Sequence, residues 1–529
     1  MMPATSQKLV ELLQRPGVLA RTGGRVKLLQ THMSWILLAD QHAYKIKKPV
    51  DLGFADFTSL EKRRYFCEEE LRVNRRLAPD LYLAVLPITG TCQSPVVGGD
   101  GEPIEYAVYM KQFPQRELLP HVLERGELGP QHVESLARDI AEFHRVVEVD
   151  RERGRFGDPE NVWRPMQANL HHFEQSLDDA ALRTELQQLQ RWSENEFTEK
   201  RNDFAARKRD GFIRECHGDM HLGNMFRDGN SITIFDGIEF NETFRWIDVL
   251  NEVAFLVMDL KYRGRADLAH RFLNAYLERT GDYQGLVVFP FYQVYRALVR
   301  AKVKDIRSSQ AQLAARARAA LQNQVRDYLD LAAKCTRAPH PRLLITHGVA
   351  GTGKTRGTDP LVDQLGVIRI RSDIERKRQF GYQHLDRTNS PVGRGIYSSE
   401  ITDQTYQRLA DLVSTVIQAG FSAIADGTFL LRSHRDLLRR MAQKLGVPFR
   451  ILDFHAHPET IRQRIVERQR RKAGASEADL KVLARQLQTQ QPLASDEQDA
   501  VISIDTECGD SHPTENCFAF DSERRQHSS

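Results

Sequence analysis

Apolar residues recur along the chain with two different spacings. From about Val26 to Phe113 the spacing is mostly that of strands, with one helical segment, SLEKRRYFCEEELRVNRRLA. The strand-like runs are VKLLQTHMSWILLAD, HAYKIKKPV, LYLAVLPITG and IEYAVYMKQF. After Phe113 the spacing becomes helical, with a strand pair near FIRECHGD and SITIFD and a helix-forming stretch from Gln310 to Lys334. The pattern predicts an α+β arrangement in which most strands precede most helices.

A different pattern begins after CTRAPHPR, a short polar segment with two prolines that indicates a linker. The apolar runs LLIT, VIRIR, FSAIAD and FRILDF then alternate with helical segments. Such alternation is typical of a parallel sheet covered by helices. We therefore predict one domain over 1–335, a linker over 336–342, a second domain over 343–506 and a mobile tail over 507–529.

Composition narrows the class of protein. The 529 residues are 41% hydrophobic and 28% charged, which is typical of a globular protein, and no repeat with a period of 20 to 50 residues is present. A net charge of +4 argues against a protein that wraps nucleic acid. The longest apolar run, Val253 to Met258, is far shorter than the ~20 residues of a membrane span.

Two further features concern the compartment. The first residues, MMPATSQKLVELLQRPG, lack the apolar centre of a secretory signal. The six cysteines include no CxxC pair, which argues against a zinc or redox site and for a reducing environment. The sequence therefore predicts a cytoplasmic protein with no membrane partner.

The first group of residues with chemical potential is HGDMHLGN, which precedes the predicted strand ITIF. Phosphoryl transfer requires a carboxylate that accepts a hydroxyl proton and oxygen ligands that hold Mg²⁺ against nucleotide phosphates. Asp219 suits the first role, whereas Asn224 and Asp236 suit the second. The alternative is a polar loop that bonds only the backbone, but the spacing to Asn224 and Asp236 argues against it.

These residues resemble the aminoglycoside phosphotransferase family, whose catalytic loop has the form HGDxHxxN, over about residues 25–335. The resemblance implies a protein-kinase-like fold. It also implies that Asp219 is the catalytic base and that Asn224 and Asp236 are metal ligands. The family acts on cationic aminoglycosides, so its acceptor pocket is expected to be acidic.

The upstream segment AYKIKKPV looks like the third strand of a kinase N-lobe. Lys45 and Lys47 share one face of this strand, so either could reach the nucleotide phosphates. We favour Lys45. Its expected partner is a carboxylate of the following helix, most plausibly Glu70 of CEEELRVN, with Glu68 and Glu69 as alternatives.

Two features depart from the family pattern. No GxGxxG loop is present, so the hairpin within THMSWILLADQ has to cover the phosphates by its shape. Four basic residues recur at helical spacing in QVYRALVRAKVKDIR: Arg296, Arg300, Lys304 and Arg307. This basic stripe either is a solvated or salt-bridged helix face or points to an anionic acceptor.

The second group of residues is GVAGTGKT, which fits GxxxxGK[ST] and follows the strand LLIT. Gly348, Gly351 and Gly353 allow backbone amides to approach phosphates. Lys354 supplies a positive charge and Thr355 a ligand for Mg²⁺. Gly357 and Pro360 fall where the phosphate-binding helix continues, which predicts a short or kinked helix.

Downstream, Asp373 follows the second strand of this part and Asp426 follows the third, both at the edge where open α/β sheets bind ligands. Residues 341–506 resemble small P-loop kinases of the polynucleotide-kinase, gluconate-kinase and zeta-toxin groups. The resemblance implies that Asp373, with Arg376 nearby, activates the acceptor hydroxyl and that Asp426 orients Mg²⁺ or water. It also implies a lid that carries Arg464 and Arg468, although a solvated basic helix is an alternative.

The pairing of the two parts resembles bacterial proteins described as bifunctional phosphotransferase/ATP-binding proteins. We predict an ATP-dependent and Mg²⁺-dependent kinase with two nucleotide sites that phosphorylates hydroxyl groups of small molecules. A nucleic-acid end kinase is one alternative, but it needs a basic groove with stacking aromatics, and aromatics near the lid are sparse. A second alternative makes one half a nucleotide-sensing regulator. The sequence leaves the oligomeric state open.

Overall fold

A computed structural model describes residues 4–15, 17–19, 25–151, 154–177, 179–309, 313–338, 340–383, 386, 396, 398–471 and 477–507. The chain forms two compact units. The first contains residues 1–171 and 201–259, and the second contains 172–200 and 260–529. The predicted tail from 508 onward lies outside the described residues. The predicted domain division near residue 335 stays a prediction.

The first unit begins with a helix and an antiparallel sheet in the order β1-β2-β3-β6-β4-β5. The predicted hairpin is present, with β1 and β2 joined at residues 31–33. One strand of the sheet, β5, was not predicted. The elements are α1 (Ala4–Leu13), β1 (Lys27–Gln30), β2 (Ser34–Ala39), β3 (His42–Lys47), α2 (Leu60–Arg75), β4 (Tyr82–Thr91), β5 (Ser94–Val97) and β6 (Glu105–Lys111).

Alternation of side chains places two apolar clusters around this sheet. One cluster joins α1 to the sheet through Leu9, Leu13, Trp35, Leu37 and Ile46. The other cluster contains Ala43, Cys67, Tyr82, Val108 and Met110. It therefore joins α2 to the face of the sheet that α1 does not cover. The sheet is therefore covered on both faces, and α2 is fixed against β3, where the candidate lysines lie.

Helices and two short ribbons follow the sheet. The predicted strands near FIRECHGD and SITIFD both exist, but they do not pair with each other: β7 pairs with β10, and β9 pairs with β8. Strand β8 precedes β9 across a short turn, whereas β10 lies about 30 residues after β7. The apolar pattern alone did not predict these partner strands. The elements are α3 (Leu119–Glu124), α4 (Pro130–Val146), α5 (Pro159–Ser176), α6 (Ala180–Glu199), α7 (Arg201–Arg209), β7 (Ile213–Glu215), β8 (Met225–Asp228), β9 (Ser231–Ile234), α8 (Glu242–Arg245), β10 (Trp246–Asp248) and α9 (Val249–Tyr262).

The second unit contains a parallel sheet in the order β12-β13-β11-β14-β15, which confirms the sheet type predicted for the C-terminal part. Its central strand, β11, leads into the glycine-rich loop. Strand β15 was not predicted, because VISID is short and lies beyond the last helical segment. The strands are β11 (Leu343–His347), β12 (Ile368–Arg371), β13 (Ala423–Asp426), β14 (Phe449–His455) and β15 (Val501–Asp505).

In the second unit, helices α10 to α12 come before the parallel sheet in the chain, and helices α13 to α19 lie between or beside its strands in sequence. None of the helices in the described parts of the chain combines the length and apolar character that a membrane span requires. The helices are α10 (Ala266–Thr280), α11 (Phe289–Ser308), α12 (Ala315–Cys335), α13 (Lys354–Gly357), α14 (Asp359–Leu365), α15 (Ser372–Gln379), α16 (Ser399–Gln418), α17 (Arg432–Leu445), α18 (Pro458–Arg471) and α19 (Leu480–Thr489).

A buried ion pair fixes the segment that leads into β15. Arg435 of α17 donates two hydrogen bonds to the carboxylate of Glu497, at 2.7 and 2.9 Å, and both side chains are 1% exposed. The same guanidinium also donates to carbonyl oxygens on both sides: Phe429 O, Leu430 O, Gln491 O and Pro492 O. Because both side chains are closed to water, solvent cannot replace the partner of Arg435 if Glu497 is lost.

We therefore predict that Glu497→Gln lowers the free energy of unfolding of the second unit by about 3 kcal/mol, because it leaves a buried guanidinium without its charge partner. The matched control is Asp496→Asn, which breaks the 2.9 Å contact with Arg432, since those side chains are 49% and 45% exposed. The control is expected to cost less than about 1 kcal/mol. Chemical denaturation of the full chain measures both, and equal effects would contradict the structural role of the buried pair.

Candidate active sites

The loop from His217 to Asn224 lies between β7 and β8. Its backbone donates hydrogen bonds to side chains of helix α9. The N–H groups of His217 and Gly218 donate to the carboxylate of Glu252 at 3.2 and 2.6 Å. Further along the loop, the Leu222 N–H donates to Asp259 at 3.0 Å. Two buried carboxylates of α9 thus support the loop backbone, in addition to hydrogen bonds made by the loop's own side chains.

Sequence reasoning missed Glu252 and Asp259. The available signal was their spacing: they are seven residues apart, about two helical turns, and they flank the apolar stretch VAFLVM. His144 of α4 contacts Glu252 at 2.9 Å, and Cys216 lies close by, so the three buried groups could in principle hold a metal ion. Both Glu252 oxygens already accept hydrogen bonds from the loop, so support of the loop is enough to explain why this carboxylate is buried here.

Within the loop, the predicted base and the predicted metal ligand contact each other. The side-chain amide of Asn224 donates to Asp219 Oδ2 at 2.8 Å and to its backbone oxygen at 3.0 Å. The His221 ring lies 3.4 Å from the same carboxylate. The Asp219 side chain is still 35% exposed, so an acceptor hydroxyl can reach it from solvent.

Asp236 follows β9 in a left-handed backbone conformation, with φ of 63°, that residues other than glycine rarely adopt. Three contacts from other elements hold it and Gly237 there. The Asp236 N–H donates to the Tyr82 hydroxyl at 3.1 Å, and the Gly237 N–H donates to the Asn74 side chain at 2.7 Å. The third contact is a 2.6 Å ion pair between Asp236 and Lys45.

The structure separates the roles of the two lysines that the sequence left open. Lys45 lies 2.7 Å from Glu70 and 2.6 Å from Asp236. Lys47 lies 2.7 Å from Glu70 but on the other side contacts Glu239, and its side chain is 1% exposed. Only Lys45 therefore reaches the predicted metal carboxylate. Of the candidate partners, Glu70 is the buried one, whereas Glu68 pairs with Arg64 and Glu69 with Arg72.

The result is a row of alternating charges in the order Asp236, Lys45, Glu70, Lys47, Glu239. Burial acts to lower the pKa of Lys45, but Asp236 and Glu70 outweigh it and raise that pKa well above its ordinary value. Burial acts to raise the pKa of Glu70, but the two lysines outweigh it and lower that pKa to about 2. Both groups are therefore charged at neutral pH.

An apolar cluster adjoins this row. Phe113 and Phe226 stack with ring centroids 4.0 Å apart, and Phe235 packs against both. Ala43 and Met110 belong to the same cluster. Sequence reasoning missed this cluster because its members come from β3, β6 and the β8–β9 ribbon, which meet only in the fold. Phe226 is buried, whereas Phe113 and Phe235 are partly buried.

The glycine-rich loop of the second unit follows β11 as predicted. Gly348, Gly351 and Gly353 all have positive φ, and a Cβ on Gly348 would lie 2.5 Å from the Phe454 carbonyl oxygen. Glycine is thus required by the backbone itself. Lys354 donates to the carbonyl oxygens of Gly348 and Val349, both at 2.8 Å. Burial lowers the pKa of Lys354 to about 8, with Asp426 and Asp373 acting in the opposite direction.

The helix after this loop is broken, as Gly357 and Pro360 predicted. Helix α13 ends at Gly357, and α14 begins at Asp359. At the start of α13, Thr355 donates to Asp426 Oδ2 at 2.7 Å. The other Asp426 oxygen accepts from Thr346 at 3.3 Å. The two predicted metal ligands of this site are thus adjacent.

The remaining predicted residues of the second site surround the loop. Asp373 lies in the first turn of α15 and, together with Arg468, is close enough to affect the charge of Lys354. Arg464 donates to the Thr506 hydroxyl at 2.8 Å, beside Gly353. Arg468 donates to the Ala478 carbonyl oxygen at 2.7 Å. Residues 472–476 of the predicted lid lie outside the described residues.

The basic stripe of α11 is not a uniformly solvated face. Arg296 is buried, Arg300 and Lys304 are partly buried, and Arg307 is exposed. The Arg296 guanidinium lies over the Tyr295 ring, 5.3 Å from its centroid. The stripe therefore has a packing role at one end and an accessible charge at the other.

Comparison with known proteins agrees with this geometry. Residues 62–287 match the sequence model of the phosphotransferase enzyme family, and residues 343–493 match that of the AAA domain. An uncharacterized protein of Mycobacterium tuberculosis is 29% identical over 421 residues, which cover 79% of this chain and 81% of the relative. An uncharacterized protein of Mycobacterium bovis shows the same identity and coverage.

Similar solved structures include a choline/ethanolamine kinase family protein from Mesorhizobium loti, with 12% identity, a TM-score of 0.39, and coverage of 63% of this chain and 99% of that one. A gluconokinase from Sinorhizobium meliloti has 17% identity, a TM-score of 0.23, and coverage of 32% and 83%. The two family matches confirm the predicted fold class. The chain therefore contains a kinase-like segment that matches the phosphotransferase enzyme family, followed by a segment with a parallel sheet that matches the AAA domain.

Proposed function

We propose that this phosphotransferase binds ATP at two sites and transfers phosphate to hydroxyl groups of small molecules. One observation carries the proposal: Lys45 lies between Glu70 and Asp236, in the same unit as the Asp219–Asn224 pair. This combines the phosphate-binding cation, the metal carboxylate and the proton acceptor that phosphoryl transfer requires. The second unit repeats the combination with Lys354, Asp426 and Asp373.

At the first site, the Asp219 carboxylate accepts the proton of the acceptor hydroxyl as its oxygen attacks the terminal phosphorus of ATP. The bond between that phosphorus and the bridging oxygen breaks, and ADP leaves. Lys45 neutralises the phosphate oxygens, and the apolar cluster around Phe113 and Phe226 receives the adenine ring. The supported loop backbone keeps Asp219 in place during the transfer.

The oxygen donors of both sites fit Mg²⁺. Asn224 and Asp236 supply an amide and a carboxylate oxygen at the first site, and Thr355 and Asp426 supply a hydroxyl and a carboxylate at the second. Hard oxygen ligands of this type are those that Mg²⁺ prefers. A bound Mg²⁺ would neutralise charge on the β- and γ-phosphates.

At the second site, the same bonds form and break, but other residues carry the steps. Asp373 accepts the hydroxyl proton, and Lys354 leaves the carbonyl oxygens of Gly348 and Val349 to contact the terminal phosphate. Arg464 and Arg468 approach the loop from α18, where they are placed to neutralise the transferring phosphate. The geometry thus supports the roles proposed for these four residues, Lys354, Asp373, Arg464 and Arg468.

Two further observations support a proposal about the acceptor and one about the compartment. The accessible end of the basic stripe favours an anionic small molecule as one acceptor. Cys67, Cys92, Cys216 and Cys335 are free thiols, which supports a cytoplasmic location.

We predict that Asp219→Asn lowers phosphate transfer by the first site at least about a hundredfold and leaves its nucleotide affinity nearly unchanged, because Asp219 faces the acceptor. Asp236→Ala is expected to weaken Mg²⁺-dependent nucleotide binding as well as turnover, since it removes a metal ligand. Phosphorylated products formed from a metabolite extract and labelled ATP are measured by mass spectrometry. Normal transfer by Asp219→Asn would remove it from the role of base.

We further predict that Lys354→Ala lowers turnover at the second site by about a hundredfold or more, because it removes the positive charge that the glycine-rich loop itself supplies to the terminal phosphate. The first site is expected to keep its products in this variant of the full chain, since Lys45 and Asp219 are unchanged. The double variant Asp219→Asn/Lys354→Ala gives the background level of phosphorylated products with both sites impaired. Loss of both sets of products in a folded Lys354→Ala protein would instead make the P-loop domain a nucleotide-dependent regulator.

A further inference from the structure

Helix α10 lies in the segment that matches the phosphotransferase enzyme family, yet it packs against the P-loop sheet within the second unit. Among the residues that the structure describes, strand β12 lies at the edge of that sheet and pairs with β13. Asn274 of α10 bonds its free edge from both directions. Its amide donates to the Val367 carbonyl oxygen at 3.1 Å, and its oxygen accepts from the Arg369 N–H at 2.8 Å. The helix thus replaces a neighbouring strand.

The same helix also contacts the broken phosphate-binding helix. Arg271 donates to Asp363 of α14 at 2.7 Å and lies 3.2 Å from Asp359, the first residue of α14. His270 contacts the Asp363 carbonyl oxygen at 2.9 Å. Helix α14 is therefore fixed by α10 at its first turn and again near its end.

Arg369 of β12 joins these contacts to the P-loop. Its guanidinium donates to the carbonyl oxygen of Thr355 at 2.7 Å and to Asp359 at 2.7 Å. The break between α13 and α14 interrupts the helical ladder there, because Pro360 has no N–H to donate. Arg369 therefore bonds at the break, and the metal ligand Thr355 is part of the structure it stabilises.

Glu278, one helical turn after Asn274, faces two arginines that share a face of β12. It lies 3.7 Å from Arg369 and 3.6 Å from Arg371. Arg371 in turn lies 3.9 Å from Asp426, the carboxylate that bonds Thr355. These separations are longer than hydrogen bonds, so the Arg371 guanidinium is shared between Glu278 and Asp426 rather than bonded to either.

Burial makes this sharing sensitive to the loss of one carboxylate. Arg369 is 7% exposed, and within the described residues Glu278 Oε1 and Arg369 Nε have no hydrogen-bond partner. Tyr283, also buried, adds a hydroxyl without a partner in the same part of the unit. The side chains of Glu278 and Arg371 are 15% and 19% exposed, so solvent replaces a lost partner only in part, and Arg371 is expected to move towards Asp426 when Glu278 is removed.

We propose that Glu278 is a positioning residue of the P-loop site, which holds Arg371 away from Asp426 and so leaves that carboxylate able to bind a divalent cation. This rests on the proposed function, in which Asp426 and Thr355 hold Mg²⁺. Without Glu278, Arg371 closes on Asp426 and competes with the cation for its oxygens. Helix α10 is then part of the second site as well as of the first family segment.

The test uses the full chain in an Asp236→Ala background, which weakens Mg²⁺-dependent binding at the first site. Binding of a fluorescent ADP analogue is titrated with Mg²⁺, and the thermal midpoint is recorded for each variant. Glu278→Gln is expected to raise the Mg²⁺ concentration for half-maximal binding about tenfold, which corresponds to about 1.4 kcal/mol. The matched control is Asp267→Asn, which removes another ion-paired carboxylate of α10 whose side chain is 42% exposed.

A second variant separates positioning from mere support of the fold. Glu278→Gln/Arg371→Gln is expected to return the Mg²⁺ requirement to near the background value, because the competing guanidinium is gone. Arg371→Gln alone is expected to lower that requirement or leave it unchanged, and it carries the test if Glu278→Gln does not fold. The proposal is overturned if Glu278→Gln behaves like Asp267→Asn, if the double variant is not rescued, or if Arg371→Gln raises the requirement.

Failure of the proposed function gives a different result. Lys354→Ala in the same background is the reference for loss of the second site. If it binds the ADP analogue as well as the background protein, the P-loop is not a nucleotide site and the proposed function fails. If Lys354→Ala loses binding while Glu278→Gln matches Asp267→Asn, only the role of Glu278 is wrong.

Discussion

Both candidate sites depend on keeping a buried lysine charged where a triphosphate is expected to bind. Burial by itself favours the neutral amine, so each site needs a compensating interaction. In the first unit, carboxylates on both sides of Lys45 supply it, and the pKa of the lysine is raised. In the second unit, Lys354 bonds loop carbonyl oxygens, and burial still lowers its pKa to about 8. Both lysines are therefore mostly charged at neutral pH, but burial disfavours the charge of Lys354, which a bound anion would stabilise.

This difference explains how the surrounding elements are arranged. The row from Asp236 to Glu239 joins β3, α2 and the loop after β9, so packing of α2 against the sheet also fixes Lys45, the proposed phosphate-binding residue. The second site instead relies on backbone shape, with positive φ at Gly348, Gly351 and Gly353. Its charged support comes from the edge of the sheet, where Arg369 bonds the break after α13.

The sequence was most informative where one short segment carries the chemistry. HGDMHLGN and GVAGTGKT predict their loops because each needs its residues at fixed spacing next to a strand. It was least informative where distant segments meet. Lys45 and Lys47 share a face of β3, and only the position of Asp236 distinguishes them. No local pattern specifies the contacts that Asn74, Glu278 and the Phe113 cluster make, and for Glu252 the sequence offers only its spacing from Asp259. Strand β15 pairs in the sheet although it is only a short apolar run.

The central claim is that one chain contains two nucleotide sites. Equilibrium binding of an ATP analogue that resists hydrolysis, with saturating Mg²⁺, measures the number of nucleotides bound per full-length chain. We expect two per chain, one for Lys354→Ala and one for Asp236→Ala, because each variant loses only its own site. A single nucleotide per chain in the unmodified protein, lost completely in one of these variants and unaffected in the other, would contradict the account.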